Sequence, residues 1–283
     1  MSFANTRSLA PALRQQPKLD SVTRENRSAQ PSWRTQALGL LFPVSVLLLW
    51  QIAAQRRWVS DVFLPLPAKT LAAFVTMVVH QNFAYDLFAS ISVVGQAFLY
   101  GTLAGVAFGT AAGLSRTVER VFGPTLDAIR HIPGIAWLPL IVLWIGIGSP
   151  AKIVVIAKSV FFPVFLNTLQ GIRGVDKSYI ELGAVLKLTR AQLVRKIVLP
   201  GAMPSILVGV RYGASLAWAL VVVAEGLSGM EGVGFLIFRA QSLLLTDQLL
   251  VCMVVIGVIG FLIDRSMHVL QRRLLRWKQG FAG

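Results

Sequence analysis

Six apolar runs divide this chain, and several are close to the length that crosses a lipid bilayer. Crossing requires about 20 mostly apolar residues, because about 30 Å of hydrocarbon must be covered at 1.5 Å per helical residue. Only 14% of the residues are charged, against about 25% in ordinary soluble domains. The pattern therefore predicts an all-α polytopic membrane protein. We expect spans at about residues 37–54, 87–112, 134–148, 151–170, 204–225 and 247–264.

The distribution of basic residues predicts the orientation of these spans. Most of the 27 lysines and arginines fall on one side of the membrane if the N-terminus is placed inside. The positive-inside rule then puts both termini in the cytoplasm. Topology and anionic lipid account for the net charge of +15, so no nucleic-acid partner is needed.

The two ends of the chain differ in composition from its middle. Residues 1–34 are polar with scattered arginines, which predicts a disordered cytoplasmic tail. The first apolar run starts too late and is too long for a signal peptide. We expect residues 35–278 to form the membrane domain and residues 279–283 a short C-terminal end.

A polar segment, residues 177–200, interrupts the apolar runs and reads KSYIELGAVLKLTRAQLVRKIVLP. Ser178 precedes Glu181 by three positions, and Thr189 precedes Gln192 by the same spacing. Such pairs form capping boxes that satisfy the free N–H groups of a helix start. We predict two short helices, roughly 179–187 and 190–197, with Pro200 opening a new segment. A basic helical hairpin between spans is a surface that a soluble partner could bind.

Four glycines share one face of the second span, at positions 101, 105, 109 and 113. Small residues at four-residue spacing let helix backbones approach closely. The pattern predicts a tight helix–helix contact, either within the chain or across a dimer. The alternative is that glycine is simply common in membrane helices.

Lys158 falls inside the fourth predicted span and Arg211 inside the fifth, which Glu225 ends. A charge at mid-membrane costs about 2.5–3.5 kcal/mol on insertion scales and normally faces protein or a water-filled path. Lys158 and Arg211 are therefore candidates to line the path of an anion. Both also lie within about two turns of a span end, so they could instead reach the headgroups by snorkelling. We expect Glu225 to accept hydrogen bonds from a loop.

Motifs for nucleotide, metal and nucleophile chemistry are missing from the sequence. It contains no G-x-x-x-x-G-K-[ST], H-E-x-x-H or G-x-S-x-G motif, and its three histidines lie far apart. The predicted spans also lack paired acids or a nucleophile beside a base. We expect a transport subunit rather than an enzyme, with no catalytic residues, no cofactor and no bound metal.

The polar segment resembles the EAA loop of permease subunits of ABC importers. That loop runs Glu-Ala-Ala, three residues, Gly, nine residues, Ile, one residue, Leu-Pro. Glu181, Ile197, Leu199 and Pro200 match it, whereas Leu182 and Gly183 occupy the two alanine places. Lys187 occupies the glycine place, so it must either adopt a strained conformation or let the first helix continue. The resemblance extends over roughly residues 38–278, through segments 63–74, 112–153, 199–227 and 246–264.

This similarity is to the binding-protein-dependent, type I importer permeases for aliphatic sulfonates, taurine and nitrate, above all those for aliphatic sulfonates. It implies a homodimer of this chain in the inner membrane. It also implies two cytoplasmic ATP-binding-cassette ATPase subunits and an extracytoplasmic substrate-binding protein as partners.

In such an importer, segment 177–200 is the cytoplasmic coupling-helix loop. The residues assigned to ATPase coupling are Glu181, Gly183, Lys187, Arg190, Ile197 and Pro200. Glu181 has two expected roles, capping its own helix and contacting the ATPase. A short amphipathic hairpin can lie in a groove of its partner, and the apolar residues expected to contact that groove are Ile180, Leu186 and Leu193.

The expected function is to form the membrane path for a small anion, driven by a separate ATPase. An aliphatic sulfonate is the expected substrate, with taurine, nitrate and bicarbonate as alternatives. The competing hypothesis is a secondary transporter driven by an ion gradient. It predicts acidic residues and broken helices at mid-membrane, and acidic residues are missing from the centres of the predicted spans.

Overall fold

The computed structural model describes residues 33–228 and 230–277, with side chains from residue 41 onward. The chain divides into two compact units, residues 1–58 and 59–283. In the first unit, the described element is helix α1 (Trp33–Gln55), whose 23 residues give about 34 Å of helix. The predicted tail lies outside the described residues, apart from its last two, which begin α1. The C-terminal end, residues 279–283, also lies outside them.

Every regular element in the described part of the second unit is helical. The elements are α2 (Pro67–His80), α3 (Phe83–Leu114), α4 (Arg116–Arg130), α5 (Leu138–Ile145), α6 (Ser149–Arg173), α7 (Lys177–Val185), α8 (Arg190–Leu193), α9 (Leu199–Ser228), α10 (Val233–Ser242) and α11 (Thr246–Leu274). A 3₁₀ turn, Gly134–Trp137, precedes α5. A π-helical turn, Val194–Val198, joins α8 to α9.

Four helices of the second unit are long and apolar enough to cross a membrane: α3, α6, α11 and the continuous helix Arg190–Ser228. They contain the predicted spans 87–112, 151–170, 247–264 and 204–225, respectively. The predicted span 37–54 falls within α1, of which residues 41–55 are an apolar stretch shorter than these four. The prediction of an all-α polytopic membrane protein is thus confirmed.

The predicted span 134–148 is not a straight helix. Its α-helical part, α5, has 8 residues and covers only about 12 Å. Together with α4 it forms a pair bent by 91° that could count as a fifth span. Pro133 has extended backbone torsions at the break, and Gly146 ends α5 with φ +95°. Both residues interrupt helical backbone, which explains the difference.

The four glycines of α3 pack against α6 of the same chain. A Cβ added at Gly105 would lie 2.8 Å from the Cβ of Val164, and one at Gly109 would lie 2.7 Å from that of Thr168. The predicted close helix contact is therefore confirmed, and it is made within the chain. Helix α9 completes the core, where Val93, Val160 and Trp218 are buried together.

Candidate functional site

Asp176 caps the first helix of the hairpin segment, residues 177–200. Its carboxylate accepts hydrogen bonds from the N–H and the hydroxyl of Ser178, both at 2.9 Å. These bonds lower the pKa of Asp176 below its ordinary value. The predicted capping box of Ser178 with Glu181 is therefore wrong. The hydroxyl of Ser178 donates to Asp176, two residues earlier, and Asp176 is the N-cap of the helix. The side chain of Glu181 is exposed and makes no hydrogen bond or ion pair with any described residue.

The second predicted capping box is confirmed. The N–H of Gln192 donates to the Thr189 hydroxyl at 3.3 Å, and the N–H of Thr189 donates to the Gln192 amide oxygen at 3.0 Å. From Arg190 the chain stays helical to Ser228. Pro200 is the second residue of α9, so a new α-helix opens there as predicted, although the π turn Val194–Val198 joins it to α8 without a break. The hairpin segment is thus continuous with a membrane span.

Lys187 joins the two short helices in a left-handed conformation, with φ +51°. The N–H of Leu188 donates to the carbonyl of Gly183, and the N–H of Lys187 donates to that of Ala184, both at 3.0 Å. These two bonds form a Schellman motif, which usually carries glycine at the left-handed position. Of the two alternatives for Lys187, the structure adopts the strained conformation, and α7 ends at Val185.

One face of the hairpin segment is packed against itself. Gly183 is buried, and a Cβ there would collide with the Leu193 side chain and lie 3.2 Å from Ile197 Cδ1. The second alanine place of the EAA pattern therefore requires a small residue. Leu193 also packs near the buried Val198, so this leucine faces the chain's own core rather than a partner.

Large apolar side chains of α7 and of Leu186, the residue that follows it, are exposed beside the packed face. Leu182 and Val185 are 51% and 77% exposed, and Tyr179 and Leu186 are also exposed. Sequence reasoning named Leu186 but missed the other three. Spacing of three and four residues along α7 would have placed them on one face. We call these four residues the apolar face of α7.

Two basic residues follow this face along the chain. The side chains of Lys187 and Arg190 are exposed and make no hydrogen bond or ion pair with any residue that the structure describes. Ile197 and Pro200 are half-buried at the base of the hairpin segment. The six residues predicted for coupling thus fall into three groups. Glu181, Lys187 and Arg190 are free to contact a partner, Gly183 lets the helices approach, and Ile197 and Pro200 join the hairpin to the span.

Lys158 lies in α6 beside the break that follows α4. Its Nζ donates to the carbonyl of Ile132 at 3.0 Å. The same atom lies 4.7 Å from the ring centroid of Trp137 and 5.7 Å from that of Phe162. These are cation–π distances. Lys158 also lines a cavity of about 320 Å³ between α4, α6 and α9.

Arg211 lies in α9 and is paired with a carboxylate. Its Nε and Nη2 donate to the two oxygens of Asp264 in α11 at 2.9 and 3.1 Å. The pairing is bidentate, which suits the planar guanidinium. Arg211 does not line the cavity that holds Lys158. The structure therefore does not bring the two predicted path residues together in one cavity.

Three side chains accept hydrogen bonds from the N-terminus of α10. The sequence analysis named only one of them, Glu225. The N–H groups of residues 232–234 donate to Asp86, Ser90 and Glu225, respectively, each at 2.9 Å. Ser90 also donates to Glu225 at 2.8 Å. Negative charge at a helix N-terminus is stabilising. Glu225 accepts hydrogen bonds as predicted, but the donors are the N–H of Gly234 in the first turn of α10 and the hydroxyl of Ser90 in α3 rather than a loop.

Lys152 lies close to this cluster and is only 1% exposed. Its Nζ donates to the carbonyl of Glu231 at 3.3 Å, and its charge interacts with that of Glu225. Lysine is almost never buried unless it is paired. Lys152 therefore helps to fix the turn between α9 and α10. Among the described residues, no group of histidine, cysteine, aspartate or glutamate could hold a metal ion.

Comparisons with known proteins place this chain among transport proteins. The sequence profile of the family described as "Binding-protein-dependent transport system inner membrane component" matches residues 101–276. SsuC of Bacillus subtilis, a protein named for aliphatic sulfonates transport, is 35% identical over 245 residues, which cover 87% of this chain and 89% of that one. The taurine transport system permease protein TauC of Escherichia coli is 35% identical over 248 residues, which cover 86% and 90%.

A solved structure shares the fold. An amino acid ABC transporter structure superimposes with a TM-score of 0.60 at 19% identity and covers 71% of this chain and 98% of its own. At that identity the likeness concerns the fold alone, and it agrees with the expected importer-permease architecture. The family profile spans more than half of the chain and the two sequence relatives span most of it, so this protein belongs to the binding-protein-dependent transport system inner membrane components.

Proposed function

We propose that this chain is the permease subunit of an ATP-driven importer and that its substrate is an aliphatic sulfonate. It acts as a homodimer, with N- and C-termini in the cytoplasm. A separate ATP-binding-cassette dimer binds the hairpin segment, and an extracytoplasmic binding protein delivers the anion. The substrate assignment is supported by the relatives named for sulfonate and taurine transport. The chain itself hydrolyses no ATP.

The observation that carries the coupling role is the apolar face of α7. Membrane-remote apolar side chains that stay exposed on a short helix usually mark a protein–protein contact. Here Leu182, Val185 and Leu186 would lie in the groove of the ATPase, as helix-in-groove contacts do. Glu181, Lys187 and Arg190 stand at the rim, where charges set orientation and association rate.

The continuous helix Arg190–Ser228 supplies the mechanical link. A movement of the docked hairpin would displace α9, and with it the packing of α9 against α6. Lys158 lies on α6 and lines the cavity shared with α9, so we assign it to the anion path. Arg211 is the second path candidate, although its pairing with Asp264 already balances its charge.

Transport in proteoliposomes tests the function. The vesicles would hold this chain with its ATPase and its binding protein, and labelled butanesulfonate, taurine and nitrate would be compared with and without internal ATP. We expect ATP-dependent accumulation of the sulfonates and little nitrate. Accumulation that follows an ion gradient and ignores ATP would instead establish the secondary-transporter hypothesis.

Affinity capture of the ATPase tests the docking face. Val185→Asp and Leu182→Asp place a charge in the proposed apolar contact and should abolish capture in detergent. Ala191→Asp is the matched control, because it puts the same charge on the exposed surface of α8. Equal capture by all three variants would show that the apolar face of α7 does not contact the ATPase. Replacing Glu181 and Arg190 together by glutamine should weaken capture less.

A further inference from the structure

The cavity beside Lys158 combines a cationic end with an apolar wall. Its polar lining residues are Arg130, Lys158 and Ser159. The remaining lining residues are Ile132, Pro133, Gly134, Ile135, Phe162, Pro163, Leu216 and Leu220. The cavity thus has two cations and no carboxylate in its own lining. Such a lining favours an anion that also carries an apolar part.

Lys158 differs from Lys152 and Arg211, the other two cations inside the predicted spans. Arg211 is held by Asp264, and Lys152 is buried beside Glu225 and Glu231. Lys158 has a backbone carbonyl and two aromatic rings as neighbours, and no carboxylate forms an ion pair with it among the residues described. A cation inside a membrane span without an opposite charge beside it is a functional residue by default.

Arg130 supplies the second cation and connects two cavities. It is the last residue of α4, and its Nε lies 2.6 Å from Asp127 Oδ1, which balances part of its charge. Arg130 and Phe162 line both the cavity beside Lys158 and a larger groove of about 630 Å³ between α3, α4 and α6. The two spaces therefore adjoin at Arg130. The larger groove also has Glu119 and Asp127 in its lining, so the cavity beside Lys158 is the more cationic of the two.

The size of the cavity suits a small organic anion. Small-molecule sites usually measure about 300–1,000 Å³ and are mostly apolar with a few convergent polar groups. At about 320 Å³, this cavity holds one small organic molecule and is far larger than nitrate or bicarbonate requires. Leu216 and Leu220 form part of the apolar wall, which an alkyl chain would contact.

We propose that this cavity is an alkanesulfonate-selective site in the permease itself, where Lys158 and Arg130 bind the sulfonate and Leu216 and Leu220 contact the alkyl chain. The inference rests on the proposed function, since it concerns the same transport path. It adds that substrate selection does not reside in the binding protein alone. No covalent step is involved, so the site acts by binding and release.

The test is uptake of ethane-, butane- and hexanesulfonate by proteoliposomes that hold the full complex. The same binding protein is present in every preparation, so its selectivity cancels when each variant is compared with the wild type for each substrate. Lys158→Met should lower kcat/KM about tenfold or more for all three, because a charge-assisted hydrogen bond is lost. Lys158→Arg should restore most of it. Lys69→Met, a lysine paired with Asp61 at the surface, is the control and should leave uptake unchanged.

Leu220→Trp tests the apolar wall separately from the charge. A buried methylene contributes about 0.8 kcal/mol, or about fourfold in affinity. Leu220→Trp occupies the space that the alkyl chain would fill, so the loss of uptake should grow from ethanesulfonate to hexanesulfonate. Lys158→Met should instead lower uptake of all three sulfonates by the same factor. Basal ATPase activity of each complex reports whether the subunits still assemble.

The outcomes separate the two proposals. If the wild-type complex accumulates no sulfonate, the proposed function fails and this inference fails with it. If the wild type accumulates sulfonates and Lys158→Met matches it at every chain length, the permease site is refuted and the function stands. A Leu220→Trp effect that is independent of chain length would overturn the assignment of the apolar wall.

Discussion

Replacing Gly105 by alanine should destabilise the contact between α3 and α6. The added Cβ would lie 2.8 Å from Val164 Cβ and 2.9 Å from the carbonyl oxygen of Phe161. Carbon atoms pack best at about 3.5–4.0 Å, so the helices must separate by nearly 1 Å, and such a gap forfeits about a quarter to a half of each contact's attraction. Overpacking of this kind costs about 1–3 kcal/mol.

Gly95→Ala is the matched control on the same helix. A Cβ there meets nothing within 4 Å, so the control reports only the higher helix propensity of alanine, about 1 kcal/mol at most. The difference between the two variants therefore isolates the steric term. We expect Gly105→Ala to have a free energy of unfolding about 1–3 kcal/mol lower than Gly95→Ala.

Reversible unfolding in mixed detergent micelles measures this difference. The expected range corresponds to about 5- to 150-fold in the unfolding equilibrium constant, since 1.4 kcal/mol is tenfold. A difference below about 0.5 kcal/mol would show that α6 can move aside freely. The close approach of the two backbones would then not be what holds α6, and with it Lys158, in position.

Three further predictions concern the turns. Lys187→Gly should relieve about 1 kcal/mol of strain from the left-handed backbone conformation. The greater freedom of glycine in the unfolded chain offsets part of this gain. The Leu188 amide should then exchange its hydrogen more slowly. The lowered pKa of Asp176 means that its stabilising effect is present above its ordinary value of 3.8 and is lost as the pH falls through the folded-state pKa. Protection of the hairpin amides from hydrogen exchange should therefore fall in strongly acidic solution for the wild type. The Asp176→Asn variant, measured at the same pH values, should show no such fall. Gly232→Ala should reduce the yield of folded protein sharply, because φ is +108° and the new Cβ would collide with the Glu225 carboxylate. Gly257→Ala is the control. A Cβ there meets nothing within 4 Å, so the yield should not change.

Local signals in the sequence predicted the hairpin segment well. The capping box at Thr189 forms because both of its hydrogen bonds involve residues three apart, so no other part of the chain decides them. The first box failed for an equally local reason. Asp176 competes for the same helix start, and a carboxylate that binds both donors of Ser178 outweighs the Glu181 alternative.

Contacts between side chains on different helices could not be predicted from local sequence patterns. Arg211 pairs with Asp264 across 53 positions, and Glu225 meets Ser90 across 135. Periodicity cannot place side chains on different helices beside each other. Hydropathy alone also cannot separate a straight span from the bent pair of α4 and α5, although Pro133 and Gly146 mark its breaks.

The continuous helix Arg190–Ser228 joins the two proposed sites. Leu220 lies thirty residues beyond Arg190, or about 45 Å along the helix, so a rigid helix would carry a tilt of the hairpin directly to the wall of the cavity. The π turn Val194–Val198 interrupts regular hydrogen bonding between them, and such turns often occur at functional sites. The buried Val198 and the packing of Gly183 against Leu193 and Ile197 brace this turn from inside. The hairpin and α9 should therefore move as one body, so that closing of the ATPase changes the shape of the cavity rather than bending the helix.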